Sequence, residues 1–122
     1  MGLDMYAYAT KEPIEEAVDF SEPENTEDVH YWRKHPNLHG WMEQLYRERG
    51  GDSPDFNLDR LRLTDADLDA LEAAVRGSEL PQTEGFFFGQ SDGSERDDDL
   101  EFIRKARAAM ADGKTVFYIA WW

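Results

Sequence analysis

The chain has 122 residues, 40% of them hydrophobic, which suits a single domain (1–122) with one core between two layers of secondary structure. It has no cysteine, so disulfides and thiolate metal sites are excluded, and a reducing cytoplasm fits. The net charge of −14 opposes direct binding to DNA or RNA. Nine arginines against four lysines, with abundant aspartate, either reflect the composition of the host or mark an acidic face directed at a basic partner protein. The first residues lack the basic and apolar regions of a signal peptide, and no apolar run approaches the roughly 20 residues that span a bilayer. A soluble cytoplasmic protein with no membrane partner is expected.

In chain order, Leu3, Met5 and Ala7 alternate with Asp4, Tyr6 and Tyr8, the period of two that predicts a strand over 3–10. Residues 11–29 are rich in Glu and Asp, include Pro13 and Pro23, and are sparsely apolar at Ile14, Val18 and Phe20. They read as a long acidic surface loop, either simply solvated or acting as a lid or partner contact. Pro36 suits a first helical turn. Leu38, Trp41, Met42, Leu45 and Tyr46 then fall at helical spacing up to Gly50-Gly51. Residues 56–63 alternate imperfectly, as a short edge strand or extended segment would. Thr64 with Asp67 reads as a helix start resembling a capping box, Leu68, Leu71 and Val75 as an apolar face, and Gly77 as a stop. Residues 85–91 read as an aromatic strand between glycines, and 97–112 as a third helix with three aspartates at its favourable end. The apolar run 115–122 predicts a central strand pairing with the first. The fold class expected is α+β, a small mainly antiparallel sheet packed with about three helices.

Two stretches carry candidate binding chemistry. Residues 31–50 form a basic island of net charge +2 in an acidic chain. Within it Arg33 and Lys34 suit an anion, Tyr31, Trp32 and Trp41 suit a flat ring, and Asn37 and His39 offer hydrogen-bonding edges. Phe86, Phe87 and Phe88, followed by Gln90, would supply an apolar wall: successive residues of a strand point to opposite faces, so one phenylalanine must face away from the core unless that side is covered. The bland alternatives are that the tryptophans are core, that the cations pair with the acidic loop, and that the Phe strand is buried on both faces. Zinc needs three or four converging ligands, and His30, His35 and His39 with Asp28 match no such pattern. No metal and no cofactor are expected. No phosphate-binding glycine loop, Gly-x-Ser-x-Gly elbow or Cys–His pair occurs, which makes an enzyme the less favoured class. General-base chemistry at His39 stays open.

Met1-Gly-Leu-Asp-Met-Tyr, Tyr31-Trp32-Arg33-Lys34 with Asn37, His39 and Trp41, the stretch Leu80-Pro81-Gln82-Thr83-Glu84-Gly85-Phe86-Phe87-Phe88-Gly89, and the aromatic C-terminal strand occur together. In this combination the chain resembles a family of small bacteriophage and prophage proteins. They begin Met-Gly-Leu-Asp-Met-Tyr-Leu and carry Tyr-Trp-Arg-Lys and Pro-Thr-x-x-Gly-Phe-Phe-Phe-Gly-Ser. Here Ala7 stands for the leucine, Gln82 is an addition, and Gln90 stands where the family tends to have serine. The resemblance implies a phage accessory protein and no particular activity. The favoured expectation is a non-enzymatic anti-defence protein that sequesters a small anionic, nucleotide-type ligand through Tyr31, Trp32, Arg33, Lys34, Asn37, His39, Phe86, Phe87, Phe88 and Gln90. Its rivals are an acidic inhibitor of a host protein and a small nucleotide hydrolase with His39 as base. A homodimer is expected through Trp121 and Trp122, which end a strand with no polar tail.

Overall fold

The alternation at the start of the chain becomes the axis of the sheet. In the computed structural model, which describes residues 2–85 and 88–122, the elements run β1 (Asp4–Thr10), β2 (Glu27–Arg33), α1 (Pro36–Glu48), β3 (Leu61–Leu63), α2 (Asp65–Arg76), α3 (Arg96–Ala111) and β4 (Thr115–Trp121). The strand order is β2-β1-β4-β3, and each pairing is antiparallel. The expected α+β class, the three helices and the pairing of first and last strands are all present. No helix among the described residues is long and apolar enough to cross a membrane.

Because strand side chains alternate, the sheet has two distinct faces. Met5, Ala7 and Ala9 of β1 lie beside Ala120, Tyr118 and Val116 of β4, and on the far side of β4 Leu61 and Leu63 of β3 lie beside Tyr118 and Val116. These residues meet Leu38, Met42 and Tyr46 of α1, Leu68, Leu71 and Val75 of α2, and Phe102, Ile103 and Ala106 of α3 in one core. The small alanines of β1 leave room for the aromatic ring of Tyr118. On the other face lie Tyr6, Tyr8, Phe117, Ile119 and Trp121.

The capping box at Thr64 is complete. The Thr64 hydroxyl accepts from the Asp67 amide at 3.3 Å, and the Asp67 carboxylate accepts from the Thr64 amide at 2.8 Å. Gly77 ends α2 as expected.

Four expectations are corrected. Residues 27–33, read as the end of a loop and the start of a ligand island, form strand β2 on β1. Their apolar alternation is weak because charged residues occupy the outer positions of an edge strand. Nor is the remaining stretch before β2 a free solvated loop. It crosses the sheet edge as a strap: the Asp19 amide donates to the Arg60 carbonyl at 3.0 Å, the Arg62 amide to the Ala17 carbonyl at 2.9 Å, and Val18 bridges Leu61. Phe20 is buried edge-on against Phe117 at 5.4 Å, and Tyr46 holds Asp19 through its hydroxyl. Burial and that carboxylate raise the Tyr46 phenol to about 12. Gly85 and Phe88 to Ser91 lie outside any strand; Phe86 and Phe87 fall outside the described residues. Finally, Trp41 and Leu45 are only partly buried, because the inward stripe of α1 runs through Leu38, His39, Met42 and Tyr46.

Candidate functional site

Strand geometry divides the basic island. Trp32 and His30 point to the helical side, and Trp32 is 3% exposed with its ring 4.7 Å from Phe102. Tyr31 and Arg33 point to the open side, where both reach Asp4. The Tyr31 hydroxyl donates at 2.6 Å, and Arg33 Nε lies 3.4 Å away. That bond to Asp4 raises the Tyr31 phenol. Lys34 is exposed with φ +56, its amide held by the Leu3 carbonyl. Trp32 thus has no face free for a ligand ring, and it does not share a surface with Tyr31 and Arg33.

His39 is also interior. It is 1% exposed, packed between Phe56 and Phe88, with Nδ1 2.7 Å from the Tyr118 hydroxyl. Burial lowers its pKa to about 4, and its Nε2 has no hydrogen-bond partner among the described residues. Burial also raises the Tyr118 phenol well above its ordinary value. Among the described residues His39 therefore has no carboxylate partner, and its burial closes it off from solvent, which removes the basis for assigning it as a general base. Phe88 is buried against His39 and Trp122, so it is core rather than a ligand wall, and Gln90 is exposed.

The polar chemistry converges elsewhere, on His35. Its Nε2 lies 2.9 Å from Asp99 Oδ2, and its Nδ1 lies 2.6 Å from Ser91 Oγ. The other oxygen of Asp99 accepts from the Trp32 indole at 3.1 Å. Ser91 Oγ in turn accepts from the Asn37 amide at 3.1 Å. Donors and acceptors match along this line in one assignment. The indole and the Nε2–H donate to the carboxylate, the serine hydroxyl donates to Nδ1, and the Asn37 amide donates to the serine oxygen. Asp99 and His35 are buried, and Ser91 is half-buried.

Each member is placed by a local cause. His35 is the residue before α1, where Pro36 fixes the first turn and no side chain of its own caps the helix. Ser91 supplies that missing cap from the connection 77–95. Asp99 occupies the first turn of α3, where a carboxylate faces the positive end of the helix dipole. Of the three adjacent aspartates there, Asp99 alone turns inward; Asp97 and Asp98 are exposed. The connection is seated on α1 by the Thr83 amide, which donates to Asn37 Oδ1 at 3.0 Å. It also relies on Gly40, where a β-carbon would collide with the Thr83 side chain.

A cavity of about 140 Å³ opens at this line. His35, Asn37 and Ser91 form one side, Val75 and Leu80 another, and Arg96 stands at its lining on the first turn of α3. The Arg96 side chain makes no ion pair or hydrogen bond among the described residues. Glu95, which also lines the cavity, is engaged by the amides of Asp92 and Gly93 at 3.2 and 3.0 Å. Larger hollows lie at the open face (about 370 Å³) and beside Thr10 (about 570 Å³), but neither brings together a histidine, a serine and a buried carboxylate.

Of the residues expected from sequence to bind the ligand, Asn37 alone among the described ones lines this cleft. Ser91, His35, Asp99 and Arg96 were missed as a set. Ser91 and His35 are 56 positions apart, and His35 and Asp99 are 64 apart, so no local spacing joins them. A histidine directly before a helix-starting proline was the available signal. No group of three or more metal-ligating side chains occurs among the described residues. No protein-family model, curated protein or solved structure matches the chain.

Proposed function

We propose that this is a phage accessory protein that captures a small anionic ligand in the cleft bounded by α1, α2 and α3. The observation that carries the reading is the convergence of His35, Asn37 and Ser91 with Arg96, a cation lacking an ion pair among the described residues, around an apolar wall of Val75 and Leu80. A few placed polar groups against apolar walls are what small-molecule sites present. Pockets that enclose drug-sized molecules run to roughly 300–1,000 Å³. At about 140 Å³ this cleft takes one end of a ligand, such as a carboxylate, a phosphate or a short acyl group. A nucleotide-type ligand would enter phosphate first and leave its base outside.

Thermal unfolding against nucleotides, cyclic dinucleotides and small carboxylates tests this. A ligand at 100 times its Kd stabilises by about 2.7 kcal/mol, a rise of several degrees in Tm. Arg96→Ala should remove the rise. No shift with any anion, or an equal shift in Arg96→Ala, discards the reading.

A second reading concerns partners. Trp121, Leu58 and Tyr31 are 59%, 58% and 52% exposed, and Trp121 and Leu58 line one groove with Tyr6, Tyr8 and Phe117. Exposed apolar area of this kind supports self-association. Light scattering at micromolar concentration would give twice the 14.1 kDa chain mass, and Trp121→Ser would return it to the monomer. A basic host protein is the rival partner for the acidic surface. Its binding would weaken steeply with salt.

A further inference from the structure

We infer that Ser91 is a nucleophile, with His35 as its general base and Asp99 as the residue that positions His35, and that the cleft accepts the short acyl group of a small carboxylic ester. The inference rests on the cleft being the ligand site and adds a reaction to it.

Acyl transfer by serine needs a hydroxyl hydrogen-bonded to a base, and a third group that fixes the base. Ser91 Oγ is 2.6 Å from His35 Nδ1, and His35 Nε2 is 2.9 Å from Asp99. The ring is used in the reverse sense to the familiar triad, with Nδ1 rather than Nε2 toward the serine. The chemistry is equivalent, because the carboxylate holds a proton on one nitrogen and leaves a lone pair on the other. Trp32 locks Asp99 from its far side, so the carboxylate cannot turn away. The Asn37 amide donates to Ser91 Oγ at the N-terminus of α1, where the helix dipole favours developing negative charge on oxygen. Asn37 also brings to the cleft an amide donor for an oxyanion, its Oδ1 being fixed by the Thr83 amide.

The step balances without an added reagent other than water. Ser91 Oγ bonds to the ester carbonyl carbon while its proton passes to His35 Nδ1. The bond to the alcohol oxygen breaks, and that oxygen takes the proton. Water then attacks the acyl-serine, giving its proton to His35, and the carboxylic acid leaves as Ser91 recovers its hydrogen. The net change is ester plus water to acid plus alcohol.

A purely structural role, in which Ser91 caps α1 and His35 and Asp99 fill a polar gap, is separated from this by covalent labelling. The full chain is treated with a fluorophosphonate probe, which bonds to an activated serine with loss of fluoride, and the adduct is located by peptide mass spectrometry. The expected result is one adduct, on Ser91. It should be absent in Ser91→Ala and at least about 100-fold slower in His35→Gln and Asp99→Asn. The pH profile of the labelling rate should differ between the unaltered chain and Asp99→Asn, a change that a merely structural Asp99 would not cause. Circular dichroism identifies variants that fail to fold, and the unaltered chain decides the matter alone. A folded protein that stays unlabelled at millimolar probe, or labels at residues other than Ser91, overturns the inference. Unlabelled protein whose Tm still rises with an anion would leave the binding reading standing. A Ser91 adduct without any anion-dependent shift would do the reverse.

Discussion

The two faces of the sheet are built from the same four strands and are both aromatic, yet they are finished differently. The inner face sets Met5, Ala7, Ala9, Tyr118 and Trp32 against three helices. The outer face sets Tyr6, Tyr8, Phe117 and Trp121 against a strap and solvent. Inside, Trp32 packs against Phe102 and Tyr118, and its indole nitrogen donates to Asp99. Outside, Trp121 and Leu58 are more than half exposed. Hydrophobicity alone therefore does not decide what is core. What decides it is which face the helices cover. The cleft sits on the covered side, where a histidine and a carboxylate can be held away from water. The open side offers area rather than chemistry.

That contrast can be broken by substitution. Phe102→Ala, which removes the ring that seats Trp32, should destabilise by about 3–5 kcal/mol in urea unfolding. A loss below about 1 kcal/mol would mean that the helical layer is loosely packed.

The next effect is one of pH. His39 is held at a pKa of about 4 by burial, against an ordinary 6.5. The unfolded chain therefore binds a proton more readily than the folded one between those values. Stability from neutral His39 is fully present above about pH 6.5 and is lost as pH falls through 4. The loss amounts to about 3 kcal/mol at pH 4, on top of other groups. His39→Phe should remove this component from urea unfolding at pH 7 and pH 4. An unchanged pH slope would show that His39 takes up its proton without unfolding.

Phe20→Ala tests the outer cover. It should cost about 2 kcal/mol, less than Phe102, because only one layer packs on it. Removing 12–22 outright should expose Phe117 and promote aggregation, the reverse of what a solvated loop would do. Ser91→Ala should cost about 1 kcal/mol through the lost cap on α1, and Ser91→Thr should recover part of it. Trp121→Ala should stay within about 0.5 kcal/mol when followed at a concentration where the chain is monomeric. A larger change there would mean that the open face contributes to the monomer fold.

The sequence by itself determined what local physics controls. Alternation placed β1. Proline at its start and glycines at its end bounded α1. Thr64 with Asp67 set the start of α2. The run 115–122 identified a central strand. These signals are strong because each depends on residues within one or two turns of one another. Strand β2 was hidden because its outer positions are charged. The strap was hidden because Asp19, Val18 and Phe20 gain their partners, Tyr46, Leu61 and Phe117, only when the sheet edge exists. The candidate site was the least legible part. Asn37 was foreseen, but as part of a surface that β2 then split between two faces. Ser91, His35 and Asp99 come from a loop, a helix entry and a helix first turn, and their line of hydrogen bonds forms only where those three segments meet. Only the tertiary structure could decide which of three adjacent aspartates turned inward, because a one-position shift on a helix rotates a side chain by about 100°.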